Sequence, residues 1–213
     1  MLGTKTDNKN IELMKLLYQL RQHIDIERII GLNVGALNDG RISRHFMGYL
    51  QKTAQESLSM YFCKIYEESS RNELNSIPGI INSLTPEMIT DEKKEKFYTF
   101  GIKYGNNIDP IETKSYLKET FDLFTDLHSQ SLERLKTFRD KIGAHSDSNA
   151  IIQSLPSHAE FETLFNFAYD FDELICRTMI GNGPAVVSGN AGRGFIRLLT
   201  LLGVENPICE FDQ

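Results

Sequence analysis

Apolar residues recur along this chain at steps of three and four, and no convincing run of alternating apolar and polar positions marks a strand. The periodicity predicts an all-α fold, a helical bundle of about five main helices with short extra ones. A first helix is expected over 10–37, weakened by Gly31 and Gly35. A second, from Ser43 to about Glu68, sets Phe46, Leu50, Ala54, Leu58, Tyr61 and Ile65 on one stripe, with Ser43 as its cap. From Arg71 to Pro86 the chain reads as loop with a short helix over Gly79 to Leu84. Thr85-Pro86, cap followed by proline at the first helical position, then opens a third helix that runs to about Tyr104 and stops at Gly105-Asn106-Asn107. The fourth segment begins at Asp109-Pro110 and is the longest. Its Leu117, Phe121, Phe124, Leu127, Ser131, Leu135, Phe138 and Ile142 form a seam that must be covered. Gly143 ends it, and a polar loop from Ser146 to Pro156 follows. The fifth helix, Ser157 to Ile180, turns Phe161, Leu164, Phe165, Ala168, Phe171, Leu174 and Ile175 inward, with Glu160 completing a capping box on Ser157. A Gly-rich loop from Gly181 to Gly194 and a short helix near Phe195 to Leu202 close a single domain over 1–213, its core at about 10–180.

Composition agrees with one ordinary domain: 213 residues, 40% hydrophobic and 24% charged. Between Ile11 and Leu20 the apolar positions are interrupted by Glu12, Lys15 and Gln19, so no secretory signal is read there. No later stretch approaches the roughly 18 apolar residues of a membrane span, and a soluble cytoplasmic protein is expected. The three cysteines, Cys63, Cys176 and Cys209, are scattered and odd in number, which gives neither a disulfide framework nor a metal knuckle. A net charge of −6 argues against coating nucleic acid non-specifically. A compact site survives that argument, because Ser131 to Lys141 carries Arg134, Lys136, Arg139 and Lys141 against only Glu133 and Asp140. Cations compensating a helix C-terminus would look the same.

Most catalytic signatures are missing. There is no GxxxxGK[ST] loop, no HExxH, no GxSxG, and no Glu three residues ahead of a histidine as a di-iron bundle needs. Neither a metal nor another cofactor is therefore expected. The run Gly189-Asn190-Ala191-Gly192-Arg193-Gly194 reads as a flexible connector and helix start; as an anion cradle it lacks a preceding strand and a lysine in register. One stretch stands apart: Phe138-Arg139-Asp140-Lys141-Ile142-Gly143-Ala144-His145-Ser146-Asp147. It puts an arginine and, six positions later, a histidine at the end of a long amphipathic helix.

This string resembles the motif of the HEPN superfamily, compact helical bundles of which many are metal-independent ribonucleases. With the earlier helix ending Tyr61-Phe62-Cys63-Lys64-Ile65-Tyr66-Glu67, it looks most like the HEPN-like abortive-infection branch (AbiU type), over roughly residues 10 to 180. The resemblance implies that Arg139, Asp140 and His145 are the catalytic set, with Lys141, Arg134 and Asp147 on the substrate side. It implies RNA as substrate, a homodimer paired through the motif helices, and an antitoxin or regulatory protein as a further partner. The chemistry suits those residue types. Histidine can take the ribose 2′-hydroxyl proton or protonate the leaving 5′-oxygen near neutral pH, and arginine's planar fork can hold the phosphate while charge builds on it. On an unbroken helix Arg139 and His145 stand some 120° and about 9 Å apart. Either the chain folds back after Gly143 or two subunits share one cleft. Two other readings stay open: a catalytically silent HEPN-like module that binds nucleotide or RNA or mediates dimerisation, and a structural all-α protein in which Arg139, Lys141 and His145 merely finish a helix.

Overall fold

A computed structural model describes residues 5–37, 44–68, 75–143, 155–181 and 190–208. At its centre is α1 (Lys5–Leu32), whose Leu13, Leu17, Leu20 and Ile24 recur at steps of four and three and are fully buried. It is covered on several sides, by α3 (Arg44–Tyr66), α4 (Ile77–Ser83), α8 (His158–Ile175) and α9 (Asn190–Leu201). That central position explains why polar residues of α1, Asn10 and Asp25 among them, are buried with the leucines. After α1 comes a single extra turn, α2 (Val34–Leu37).

In α3 the inward stripe is Met47, Ala54, Leu58, Phe62 and Ile65, while Phe46 is 50% exposed. Each step of four residues overshoots a full turn by 40°, so the stripe Phe46, Leu50, Ala54, Leu58 drifts 120° and its first member leaves the core. The short α4 is capped by Ser76, whose Oγ accepts from the Gly79 amide at 3.1 Å, with Pro78 in its first turn. Thr85-Pro86 does not open the next helix. Residues 87–89 instead run extended and pair with 111–113, through Ile89 N to Ile111 O at 3.0 Å and Thr113 N to Glu87 O at 3.0 Å. Consequently α5 (Asp91–Lys103) starts after Thr90, with Asp91 and Glu92 in its first turn where the dipole favours them.

The expected long fourth helix is two: α6 (Thr113–Leu127) and α7 (Ser129–Gly143), hinged at His128, whose backbone leaves helical geometry at φ −105°, ψ 17°. At the break the His128 ring packs on Phe124 at 4.5 Å, and Thr125 Oγ1 donates back to the Phe121 carbonyl at 2.9 Å. The hinge divides the seam: Leu117, Phe121 and Phe124 are buried in α6 and Ser131 and Leu135 in α7, while Leu127 is 79% exposed.

Helix α8 carries the capping box read from the sequence, Glu160 N to Ser157 Oγ at 3.3 Å and Ser157 N to Glu160 Oε2 at 2.7 Å. It supplies the aromatic centre of the core, where Phe167 stacks on Phe124 at 3.9 Å and meets Tyr104 edge-on at 4.6 Å. A wider π-helical turn, Cys176–Ile180, prolongs it to Gly181, which adopts φ 76°. Close approach also decides Gly101 of α5, where a Cβ would lie 1.7 Å from the Tyr116 hydroxyl. The last helix begins at Asn190, so Gly192 and Gly194 belong to a helix and not to a loop, and the Ala191 amide is already bound to Gln22 Oε1 at 2.7 Å. Phe195, Leu199 and Val204 form a second small core with Ile29, Ile30, Leu37 and Met47. Among the described residues no helix is long and apolar enough to cross a membrane.

Candidate functional site

Helix α7 lies against α3, and its C-terminal end presents Arg139 and Asp140 beside Glu67, which follows α3. Arg139 donates from Nη1 to Glu67 Oε2 at 2.5 Å and from Nε and Nη2 to Asp140 Oδ1 at 3.0 and 2.8 Å. Glu67 is itself fixed by its amide, which donates to the Cys63 carbonyl at 2.9 Å. The side chains of Arg139, Glu67 and Asp140 are 28%, 34% and 60% exposed, so the cluster reaches solvent. The Glu67 carboxylate, followed by Asp140, holds the guanidinium in its charged form even more firmly than usual. Next to it burial pushes the Cys63 thiol up to about 11, which makes it a packing residue and not a nucleophile. A cavity of about 270 Å³ opens alongside, lined by Cys63, Glu67, Asp126, Glu133 and Lys136 among others.

Arg134 points elsewhere. Five positions before Arg139 it is turned about 140° around the helix, towards α8, where it pairs with Glu160 Oε1, an oxygen that also accepts from Ser131 Oγ at 2.5 Å. The Ser131 hydroxyl, the Ser157 amide and Arg134 together pull the Glu160 carboxyl down to about 2. Two cations of the positive island are thus bound internally, one to α8 and one to the end of α3. Lys141 and Lys136 are exposed on the same helix. His145 and Asp147, with the loop that carries them, lie outside the described residues, as do Ser43 and residues 182–189.

The structure therefore brings Arg139 and Asp140 together, separates Arg134 from them, and adds Glu67. Glu67 is 72 positions from Arg139, and no local pattern marks it; its one signal is its place at the end of the helix quoted for the HEPN resemblance. In a second, part-buried polar group it is the long-range pair that the sequence does not mark: Arg21 forks onto Glu162 with two bonds of 2.8 Å, while its bond to Asp25 at 2.7 Å and the 3.3 Å approach of His158 Nε2 to Glu162 span four residues each. Among the described residues no three His, Cys, Asp or Glu side chains are placed to hold a metal ion. What the described part of the site can do is hold charge, with a fixed cation at a helix end between two carboxylates.

An all-α bundle with this arginine at the end of a helix packed on an earlier core helix is HEPN-like. The family model of AbiU2, a HEPN family, matches residues 11–181, and the chain belongs to that family. The match covers α1 from Ile11 through the π-helical turn and leaves α9 outside it. No curated protein and no solved structure matches the chain.

Proposed function

We propose that this chain is a metal-independent endoribonuclease of the abortive-infection type, acting through Arg139 and His145 at a cleft between two copies. The observation that supports the reading is Arg139 itself: in a chain of a HEPN family, the arginine read as the motif residue lies near the C-terminal end of α7 and is 28% exposed. In this reading Arg139 holds the scissile phosphate and offsets charge on the pentacoordinate intermediate. His145 transfers the proton between the 2′-hydroxyl, the leaving oxygen and water. Asp140, already on Nε and Nη2, shares the orienting of the fork with Glu67 on Nη1. Lys141 serves as a contact to the RNA backbone, whereas Arg134, paired with Glu160, contributes mainly by fastening α7 to α8. Asp147 remains assigned to the substrate side, and a neutralising or regulatory protein is the further partner.

The test is cleavage of RNA in EDTA with 2′,3′-cyclic phosphate ends. His145→Ala is expected to lower the rate at least about 10²-fold with the helical content unchanged. Wild-type activity that vanishes on chelation rejects the mechanism. A second reading, a catalytically silent module, is favoured by the carboxylates around Arg139 and the acidic lining of the adjacent cavity. RNA binding or dimerisation without cleavage by the wild-type protein would select it.

A further inference from the structure

We infer that Glu67 is a positioning residue that competes with phosphate for Arg139, so that neutralising the Glu67 carboxylate strengthens anion binding at that guanidinium. The inference rests on the reading of Arg139 as the phosphate-holding cation.

A guanidinium grips phosphate through two parallel N–H groups, along the edge shared by Nε and one Nη or along the edge between the two Nη atoms. Both edges are engaged. Nε and Nη2 share Asp140 Oδ1, at 3.0 and 2.8 Å, and Nη1 is bound to Glu67 at 2.5 Å. The two carboxylates differ in how they are held. Asp140 is the next residue on the same helix, offers a single oxygen to two nitrogens and is 60% exposed, so it can swing away without disturbing the bundle. Glu67 comes from another element, tied by its amide to the turn that ends α3, and is about half as exposed as Asp140. It is therefore Glu67 that sets where the Arg139 fork points.

The charge balance of the surroundings works in the same direction. Among the described residues, one guanidinium between two carboxylates leaves the trio with a net negative charge, and the neighbouring cavity adds Asp126 and Glu133 against Lys136, with Lys141 exposed one residue beyond Asp140. A phosphate approaching this arrangement meets repulsion until one carboxylate leaves. Removing the Glu67 charge while keeping its shape lifts that competition. For a pair exposed to this extent the gain is expected to be about fivefold in anion affinity, the scale of a partly screened ion pair.

Inorganic pyrophosphate is a probe that needs no catalysis. Its binding would be measured by calorimetry and by the Arg139 Nε–H resonance in wild type, Glu67→Gln, Glu67→Ala, Glu67→Asp and Arg139→Gln. Glu67→Gln and Glu67→Ala should bind about fivefold more tightly than wild type, and Glu67→Asp within about twofold of it. The gain should disappear when Glu67→Gln is combined with Arg139→Gln. Melting curves would establish that each variant is folded, and two different neutral substitutions keep the test alive if one is not. Equal or weaker binding by the neutral variants overturns the inference, as does a gain that survives without Arg139. In a cleavage assay on the same proteins, Glu67→Gln should lower KM about fivefold while Glu67→Asp keeps the wild-type KM within about twofold. Tighter pyrophosphate binding with no RNA cleavage by any variant would uphold the competition and reject the ribonuclease reading; robust cleavage with unchanged pyrophosphate binding would do the reverse.

Discussion

Asp172 of α8 is fully buried against α1, and its burial makes stability depend on pH in a direction opposite to that of most carboxylates. Around it, Asn10 Nδ2 donates to Cys176 Sγ at 3.1 Å, and that sulfur stands 4.0 Å from Asp172 Oδ2. Asp172 Oδ1 and Asn10 Oδ1 have no hydrogen-bond partner. Two acceptor oxygens left over in one buried cluster call for a proton, and desolvation pushes the Asp172 carboxyl up to about 7, with the Asn10 amide opposing and the Glu173 charge adding to the shift. In the unfolded chain the same group titrates near 3.9. The folded state therefore binds the proton more tightly: no penalty exists below about pH 4, stability falls as pH rises from there to about 7, and above that the loss is complete. Three pH units at 1.36 kcal/mol each give about 4 kcal/mol, a large share of a typical domain's stability. Asp172→Asn substitutes a neutral amide that can donate to the Asn10 oxygen. Urea unfolding of both proteins at pH 4.5 and 8.5 isolates the effect, because other titrating groups cancel in the difference. The variant should gain about 3 kcal/mol on wild type between the two pH values, since part of the loss has already occurred by pH 4.5. A difference that does not change with pH would refute the reasoning, and so would a variant less stable than wild type at pH 8.5.

Other consequences follow from packing. Gly101→Ala would drive a methyl into the Tyr116 hydroxyl and to within 2.9 Å of the Asn106 carbonyl, so urea titration should show a loss of about 2 kcal/mol, part of it recovered when Tyr116→Phe is added. Phe167→Ala empties the centre of the aromatic cluster and should cost about 4 kcal/mol, with thermal melting as the measure. Ser157→Ala removes one half of the capping box and should cost about 1 kcal/mol. Because Glu160 is held down to about 2, its contribution is present above its ordinary range and lost as pH falls from about 4.5 towards 2; Glu160→Gln should flatten that acid limb in pH-dependent melting.

The parts of this protein that were legible in the sequence are those set by neighbours three or four residues away. Side chains at those steps share a helix face, so the all-α class, the inward face of α8, and the Ser157–Glu160 box could all be read without tertiary information. The Arg139-Asp140 pair was readable for the same reason, being adjacent in the chain. The division of α6 from α7 was not. The seam from Leu117 to Ile142 is continuous in period, and only the fold shows that the His128 backbone leaves helical geometry, with its ring on Phe124, and that Leu127 faces water. The start of α5 was misplaced because residues 87–89 find their backbone partners at 111–113. The partners of the charged groups were beyond reach altogether. A cation four residues from a carboxylate can be anticipated, but Glu67 meeting Arg139, Glu160 meeting Arg134 and Glu162 meeting Arg21 depend on which helix lies against which. That arrangement is decided by the summed burial of apolar faces, a property of the whole chain, and the charges then pair with whatever the packing brings near them.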